Sequence, residues 1–205
     1  MTGRKYTIAV LISILAVGAS IIGCDDDTNY DQRTVVYVSN INDGAPYFSD
    51  VINQGDSLWN DTRTDYLYSD DFIEEDWVKV QFHNRPYSGI VSPCASALCD
   101  FLVTGYDVSF TRLDGGTVPV PSFSGKTSIL VPASSFVEGF ILLVPFYAKN
   151  EVPLDGVKYG VTEDEIMAQA YITFYGHEIQ TERNIDFSCG LTVNFADDFD
   201  EEEND

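Results

Sequence analysis

Two neighbouring stretches toward the C-terminal end restrict the fold more than any other feature of the chain. Ile166, Ala168, Ala170, Ile172, Phe174 and Gly176 recur at every second position against Met167, Gln169, Tyr171, Thr173, Tyr175 and His177. A few residues on, Ile185, Phe187, Cys189, Leu191, Val193 and Phe195 alternate with Asp186, Ser188, Gly190, Thr192 and Asn194. Period two collects each set on one face of a β-strand, whereas helical spacing would scatter both. The two strands are expected to pair as an antiparallel hairpin, because a slip of one residue would turn a whole apolar set toward water. Thr162 with Glu165 three positions later has the form of a helix capping box, which leaves at most one helical turn before the first of them.

The rest of the chain reads as shorter strands between turn signals. Thr34 to Asn42 is β-branched and ends at Asp43-Gly44 and Pro46, and Val78, Val80 and Phe82 alternate with Lys79, Gln81 and His83. Leu102, Thr104, Tyr106, Val108 and Phe110 are expected on one face of a further strand, with Asp107, Ser109 and Thr111 on the other. Asp114-Gly115-Gly116 turns the chain, and Pro119 and Pro121 make the return an edge or a connection, since proline cannot donate to a ladder. Lys126 to Val131 is a short strand, and Phe136 to Val144, apolar on both faces from Phe140 onward, is expected to be central. Ala45 to Asn60 receives no assignment. The expected fold is therefore all-β, an antiparallel two-sheet sandwich of about seven strands, starting near residues 34, 77, 102, 126, 137, 166 and 184. Strand number and spacing resemble immunoglobulin-like or fibronectin-III-like domains in architecture only, because no tryptophan framed by an inter-sheet disulfide is present.

The N-terminal end has a different character. Arg4 and Lys5 precede an uncharged run from Tyr6 to Ile22, with small residues at Gly18 to Ser20 and at Gly23, which is the layout of a secretory signal. The run stops at Cys24, followed by three aspartates. Ile21-Ile22-Gly23-Cys24 resembles the lipobox of bacterial lipoproteins, although that motif more often has Leu-Ala or Leu-Ser before the glycine. The resemblance implies cleavage before Cys24 and a diacylglycerol on its thiol; a plain signal peptide or an uncleaved anchor is the alternative. Residues 1–23 are then signal, 24–33 a lipidated polar stalk, 34–196 the sandwich and 197–205, with the run DDFDEEEND, an acidic disordered tail. The expected location is the bacterial cell envelope, at the outer membrane or cell surface in preference to the inner membrane. Aspartates after a lipidated cysteine resemble signals for either destination.

Charge narrows the partners. The formal net charge is −22, and loss of Arg4 and Lys5 leaves nine basic against 33 acidic residues. Nucleic acid would be repelled. Cations, basic proteins and uncharged ligands remain open. A hydrophobic fraction of 44% with 13 Phe and 12 Tyr nonetheless suffices for a core.

Of the four cysteines, Cys24 is assigned to lipid, and Cys189 shares the core face of its strand, where it acts as a small hydrophobe. Cys94 and Cys99 lie in the loop SPCASALCD and are expected to form a disulfide in an oxidising compartment. A redox pair or a metal site is the alternative, although the spacing is not Cys-x-x-Cys. His83 and His177 sit on non-core faces without a nucleophile motif or a metal-binding spacing around them. Ser124-Gly125-Lys126-Thr127 has the ending of a phosphate-binding loop, but Val120 stands where its first glycine belongs.

Trp59 to Trp77 mixes acids with aromatics. Asp61, Asp65, Asp70 and Asp71 offer hard oxygen ligands, so a structural calcium ion is possible although no EF-hand glycine is present; otherwise no cofactor is expected. Trp59, Tyr66, Tyr68 and Trp77 offer flat faces to a glycan, or else they cover an open end of the core. Tyr171 and Tyr175, beside His177, form a second candidate face, suited to a protein partner. These residues together lead to the expectation of a lipid-anchored, non-catalytic binding, scaffolding or assembly subunit of the envelope. The alternative is a carbohydrate-binding or calcium-dependent adhesion module, and a hydrolase is the third reading.

Overall fold

The computed structural model describes residues 34–52, 72–86 and 99–197. Cys24, the residues from Trp59 to Asp71, Cys94 and the tail beyond Asp197 lie outside the described residues. Eight strands follow one another: β1 (Thr34–Ile41), β2 (Tyr47–Asp50), β3 (Asp76–Pro86), β4 (Phe101–Arg112), β5 (Phe123–Val131), β6 (Ser135–Val144), β7 (Glu165–Glu178) and β8 (Asn184–Ala196). Helical structure among the described residues is confined to short 3-10 turns at Asn42–Gly44, Ala148–Asn150, Leu154–Gly156 and Lys158–Gly160. The strands form two sheets, one ordered β1-β3-β6 and the other β2-β8-β7-β4-β5. In this order β1, β3 and β6 stand where strands A, B and E of an immunoglobulin-like sandwich stand, and β4, β7 and β8 where C, F and G stand.

The hairpin of the two alternating stretches forms as the periodicity requires. β7 and β8 pair antiparallel, with Ile166 opposite Phe195, Ile172 opposite Cys189 and Phe174 opposite Phe187, so both apolar sets face one side. Phe174 meets Phe82 of the other sheet edge-on with ring centroids 4.9 Å apart, and Phe110 meets Phe195 at 5.7 Å. Ile166, Ala168, Ala170, Ile172 and Phe174 are fully buried, as are Val80 and Phe82. Complete removal of such a side chain from water is worth roughly 1.5–3 kcal/mol, which makes the inter-sheet layer the dominant source of cohesion. Tyr106 adds a polar tie between the sheets: its hydroxyl accepts a hydrogen bond from the Leu142 backbone N–H at 3.0 Å.

Three features depart from the sequence reading. The first is β2, within a stretch that carried no assignment. Its pattern is inverted, with Ser49 2% exposed and Phe48 67% exposed, so no apolar alternation marks it. Among the described strands it is also the one added by a parallel pairing, with Tyr47 opposite Val193. The turn from β1 into β2 has positive φ at three successive residues, Asn42, Asp43 and Gly44, and Asn42 Nδ2 secures it by donating to the Ala45 and Pro46 carbonyls. The second is a bulge in β4. Its registers with both β5 and β7 shift between Val103 and Gly105, so Phe101 and Val103 face inward before it and Tyr106, Val108 and Phe110 after it. Leu102 and Thr104, expected inward, turn away from the core, because one extra residue reverses the side-chain phase. The third is β6, an edge strand and not a central one. Its apolar run has Phe140 65% exposed, while Ile141 and Leu143 point inward.

The sandwich has two distinct ends. At one, Glu178 is 1% exposed and binds the start of β1: Thr34 N and Oγ1 both donate to Oε1 at 2.9 Å, and Thr181 Oγ1 donates to Oε2 at 2.6 Å. At the other, β8 finishes beside the start of β7, with Ala196 opposite Glu165. The segment between β6 and β7 packs at that second end through Lys149, whose ammonium donates to the Asp50 carbonyl at 2.6 Å and to Asp76 Oδ1 at 2.9 Å. Ser49 Oγ completes the site by donating to Asp76 Oδ2 at 2.5 Å. Burial nevertheless raises the Asp76 carboxyl above its ordinary value, with Lys149 and Ser49 opposing the shift.

Candidate binding face of the three-stranded sheet

Alternation along β3 sends Val78, Val80 and Phe82 into the core, so Trp77, Lys79, Gln81, His83 and Arg85 stand on the outer face. Antiparallel pairing sets side chains of the neighbouring strands beside them. Trp77 is opposite Leu142, Lys79 opposite Phe140, Gln81 opposite Glu138 and His83 opposite Phe136 on β6, while His83 is also opposite Tyr37 and Arg85 opposite Val35 on β1. Cross-strand neighbours on one face lie about 4.5–5.5 Å apart, close enough for their side chains to touch. Three aromatic rings here are more than half exposed: Trp77 at 52%, Phe136 at 55% and Phe140 at 65%.

The rings are organised in rows across the strands. Tyr37, His83 and Phe136 stack in sequence, with centroids 5.6 Å apart at each step and interplanar angles of 28° and 14°. The Arg85 guanidinium extends the row, 5.6 Å from the centre of the Tyr37 ring. His83 is thus covered on both faces by aromatic rings, which describes a packing element of the surface better than a poised base. The next row is polar. Ser39 Oγ donates to Gln81 Oε1 at 2.7 Å, and Gln81 Nε2 donates to Glu138 Oε1 at 3.4 Å. Beyond it Lys79 pairs with Asp43 at 2.9 Å beside Phe140, and Trp77 follows. The face therefore alternates ring, hydrogen-bonding strip and ring along the strand direction, and its charges are internally partnered at Lys79.

The outer face of the five-stranded sheet is different. Tyr171 and Tyr175 are 53% and 42% exposed and His177 is half-buried on the same side of β7, as the alternation requires. Tyr175 is engaged by its own sheet, however: its hydroxyl donates to Asp107 Oδ2 at 2.6 Å. A hydrogen bond from Ser124, and then that from Tyr175, hold the Asp107 carboxyl below its usual range, and Asp107 pushes the Tyr175 hydroxyl up in turn. Thr173 and Ser188 exchange a hydroxyl hydrogen bond at 3.0 Å nearby. This is a hydroxyl-rich surface knitted to itself, and Tyr171 is the aromatic side chain it leaves forward.

Other candidate positions fall as follows. Ser124 to Thr127 lies within the extended β5 strand and offers no loop to cradle a phosphate. Cys99 is disulfide-bonded and 3% exposed, and its carbonyl accepts from Asn84 Nδ2 at 2.9 Å; the Cys94 half of the expected bridge lies outside the described residues. Cys189 is a free thiol packed against the core, where burial pushes it up to about 12. Of the acidic and aromatic segment proposed for calcium or glycan, residues 72–77 are among the described ones; Trp77 is the one of its named candidate ligands among them, and it joins the face of the three-stranded sheet, while Asp76 is buried against Lys149 and Ser49. Among the described residues no group of three or more His, Cys, Asp or Glu side chains is placed to hold a metal ion.

Sequence reasoning identified Trp77 and missed Tyr37, Phe136 and Phe140 as its companions. The signal was present in the outward phase of Phe136 and Phe140, but the assignment of β6 as a central strand hid it. Among the described residues no helix is long and apolar enough to cross a membrane. No protein-family model matches the chain, and no curated protein matches it either.

Proposed function

We propose that this chain is an exported, lipid-anchored, non-catalytic binding protein of the bacterial cell envelope, attached through Cys24 and working as a recognition or assembly subunit. The observation that carries the reading is the outer face of the three-stranded sheet, where Trp77, Phe136 and Phe140 are each more than half exposed on one surface. Large rings left in water on one surface are costly to a solitary protein and mark sites of association. They stand on paired strands rather than loops, so the face is held in shape before anything binds. The tether is supported by the lipobox-like Ile21 to Cys24, and two or more acyl chains give stable attachment where one gives transient attachment.

Two measurements test the reading. Cells grown with labelled palmitate incorporate label into the wild-type protein and not into Cys24→Ser; equal labelling would remove the anchor. Detergent-solubilised wild-type protein retains a stoichiometric partner or ligand, and the double variant Phe136→Ala, Phe140→Ala releases it. Identical retention by both would remove the face as the binding surface. If retention is instead abolished by Tyr171→Ala, the five-stranded sheet is the partner face.

A further inference from the structure

Resting on the reading of this chain as a binding subunit, and deepening it, we propose that the outer edge of β6 is a strand-addition site, which takes an extended basic segment of a partner protein as a further strand. The direction of the backbone groups comes first. The Gln81 carbonyl accepts from Ser39 Oγ at 3.2 Å, so it faces β1. Backbone groups alternate in direction along a strand, which turns those of Val78, Val80 and Phe82 toward β6, where Ile141, Gly139 and Val137 stand opposite. Phe136, Glu138 and Phe140 therefore direct their N–H and C=O groups away from β3. Leu142 shares their phase, and its N–H donates to the Tyr106 hydroxyl of the other sheet at 3.0 Å. Among the described residues no strand lies beyond β6.

The other three edge strands are each blunted. β2 is four residues long, β1 carries a bulge at Ser39, and β5 has exposed Lys126 in its middle. A short edge, a bulge and a lysine are the devices by which edges avoid stray pairing. β6 has none of them: it runs SFVEGFILLV, without proline or lysine, and keeps one register with β3 from Ser135 to Leu142. Open N–H and C=O groups at every second residue match another extended backbone, which makes a strand the occupant. Side chains set its chemistry. Glu138 is exposed on the outer side between Phe136 and Phe140, and opposite charges pair across strands, so the residue that comes beside it is Lys or Arg. On the inner side Val137 and Ile129 are partly buried against the core, and apolar residues of the new strand extend that cover. A net charge of −22 favours a basic segment over a second copy of this chain.

Fluorescence anisotropy of the full-length chain in mild detergent, with a labelled decapeptide of alternating valine and lysine as probe, tests the proposal. Wild-type protein binds the peptide, and the amides of Phe136, Glu138 and Phe140, which exchange hydrogen rapidly in the free protein, become protected. Glu138→Pro removes one outward N–H without touching the ladder to β3, and it weakens binding about tenfold or more because an incoming carbonyl is left unpaired. Glu138→Gln keeps the N–H and weakens binding less. A peptide with the same side chains and every backbone amide N-methylated does not bind wild type, a comparison that holds whether or not Glu138→Pro folds, which a thermal melt checks. Equal binding of the methylated peptide overturns strand addition, as does no binding of the parent peptide or unchanged binding by Glu138→Pro. Amides already protected in the free protein overturn it too: protection at every concentration means that another part of the chain holds the edge, and protection that grows with concentration means a second copy. If the peptide fails while Phe136→Ala, Phe140→Ala still releases the co-purifying partner, the aromatic face stands without strand addition. If the peptide binds while that variant keeps its partner, the edge stands without the face.

Discussion

Lys149 is 1% exposed, a position that a lysine occupies only when its charge is matched. It is the point where the segment after β6, the end of β2 and the start of β3 are joined, through Asp50 and Asp76. Removing one member of a buried pair leaves the other as an uncompensated charge, at a cost of about 3–5 kcal/mol. Lys149→Ala is therefore expected to lower the urea midpoint of unfolding by that equivalent, whereas exchange of Lys79, whose partner Asp43 is largely exposed, should leave the midpoint nearly where it is. Cys189 makes the opposite case, a reactive atom silenced by its surroundings. With its thiol pushed up to about 12 by burial, almost none is thiolate at neutral pH, and the thiolate is the nucleophile. Iodoacetamide at pH 8 should leave Cys189 unmodified in the native protein and alkylate it within the same time in denaturant, as read by mass spectrometry of its peptide.

At the scale of elements, the connection from β4 to β5 is held by charge. Arg112, at the end of β4, donates from Nε to Asp114 Oδ1 at 2.8 Å and from Nη2 to Asp114 Oδ2 at 2.6 Å, and it reaches Glu163 ahead of β7 from Nη1 and from the same Nη2. The Arg112 guanidinium holds the Asp114 carboxyl down at about 2. Because that folded-state value lies below the ordinary carboxylate value of about 3.9, the clamp contributes fully above the latter and is lost as pH falls through about 2. Thermal melts of wild type and Asp114→Asn should therefore differ at pH 6 and converge between pH 4 and 2. The same strand shows why some elements were legible and others were not. β7 and β8 were read residue by residue because each keeps one phase from end to end, which a single period can detect. β4 changes phase at Thr104, a local event that depends on its neighbours β5 and β7, so the half before the bulge was read on the wrong face. β2 could not be read at all, since the residue that its burial favours is Ser49, satisfied by a distant Asp76. The candidate site suffered from a related problem. Whether Phe140 faces core or solvent depends on how many strands lie over β6, and strand order is a property of the whole sandwich.

At the scale of the molecule, two sheets of unequal width, three strands against five, leave the narrower one with both flanks close to the edge and its aromatic face outward. That asymmetry separates the two candidate surfaces: a narrow aromatic face on one side, and a broad hydroxyl-rich one carrying Tyr171 on the other. If one copy engages different partners through each, the paired variants Phe140→Ala and Tyr171→Ala show independent losses. A change in one loss caused by the other substitution would mean a shared partner.

Thr34 sits beside Glu178 at one end of the sandwich and Ala196 beside Glu165 at the other, so the first described strand starts and the last one finishes about 45 Å apart along the length of β7. Tension applied between an anchor before Thr34 and a load beyond Ala196 would run parallel to the strands. The rungs from Thr34–Pro86 to Ile41–Val80 would then be strained in shear and together, not peeled one at a time. In a pulling experiment with handles at the two ends, the domain should yield at a higher force than with handles at Thr34 and Glu178, where the chain enters and leaves at the same end.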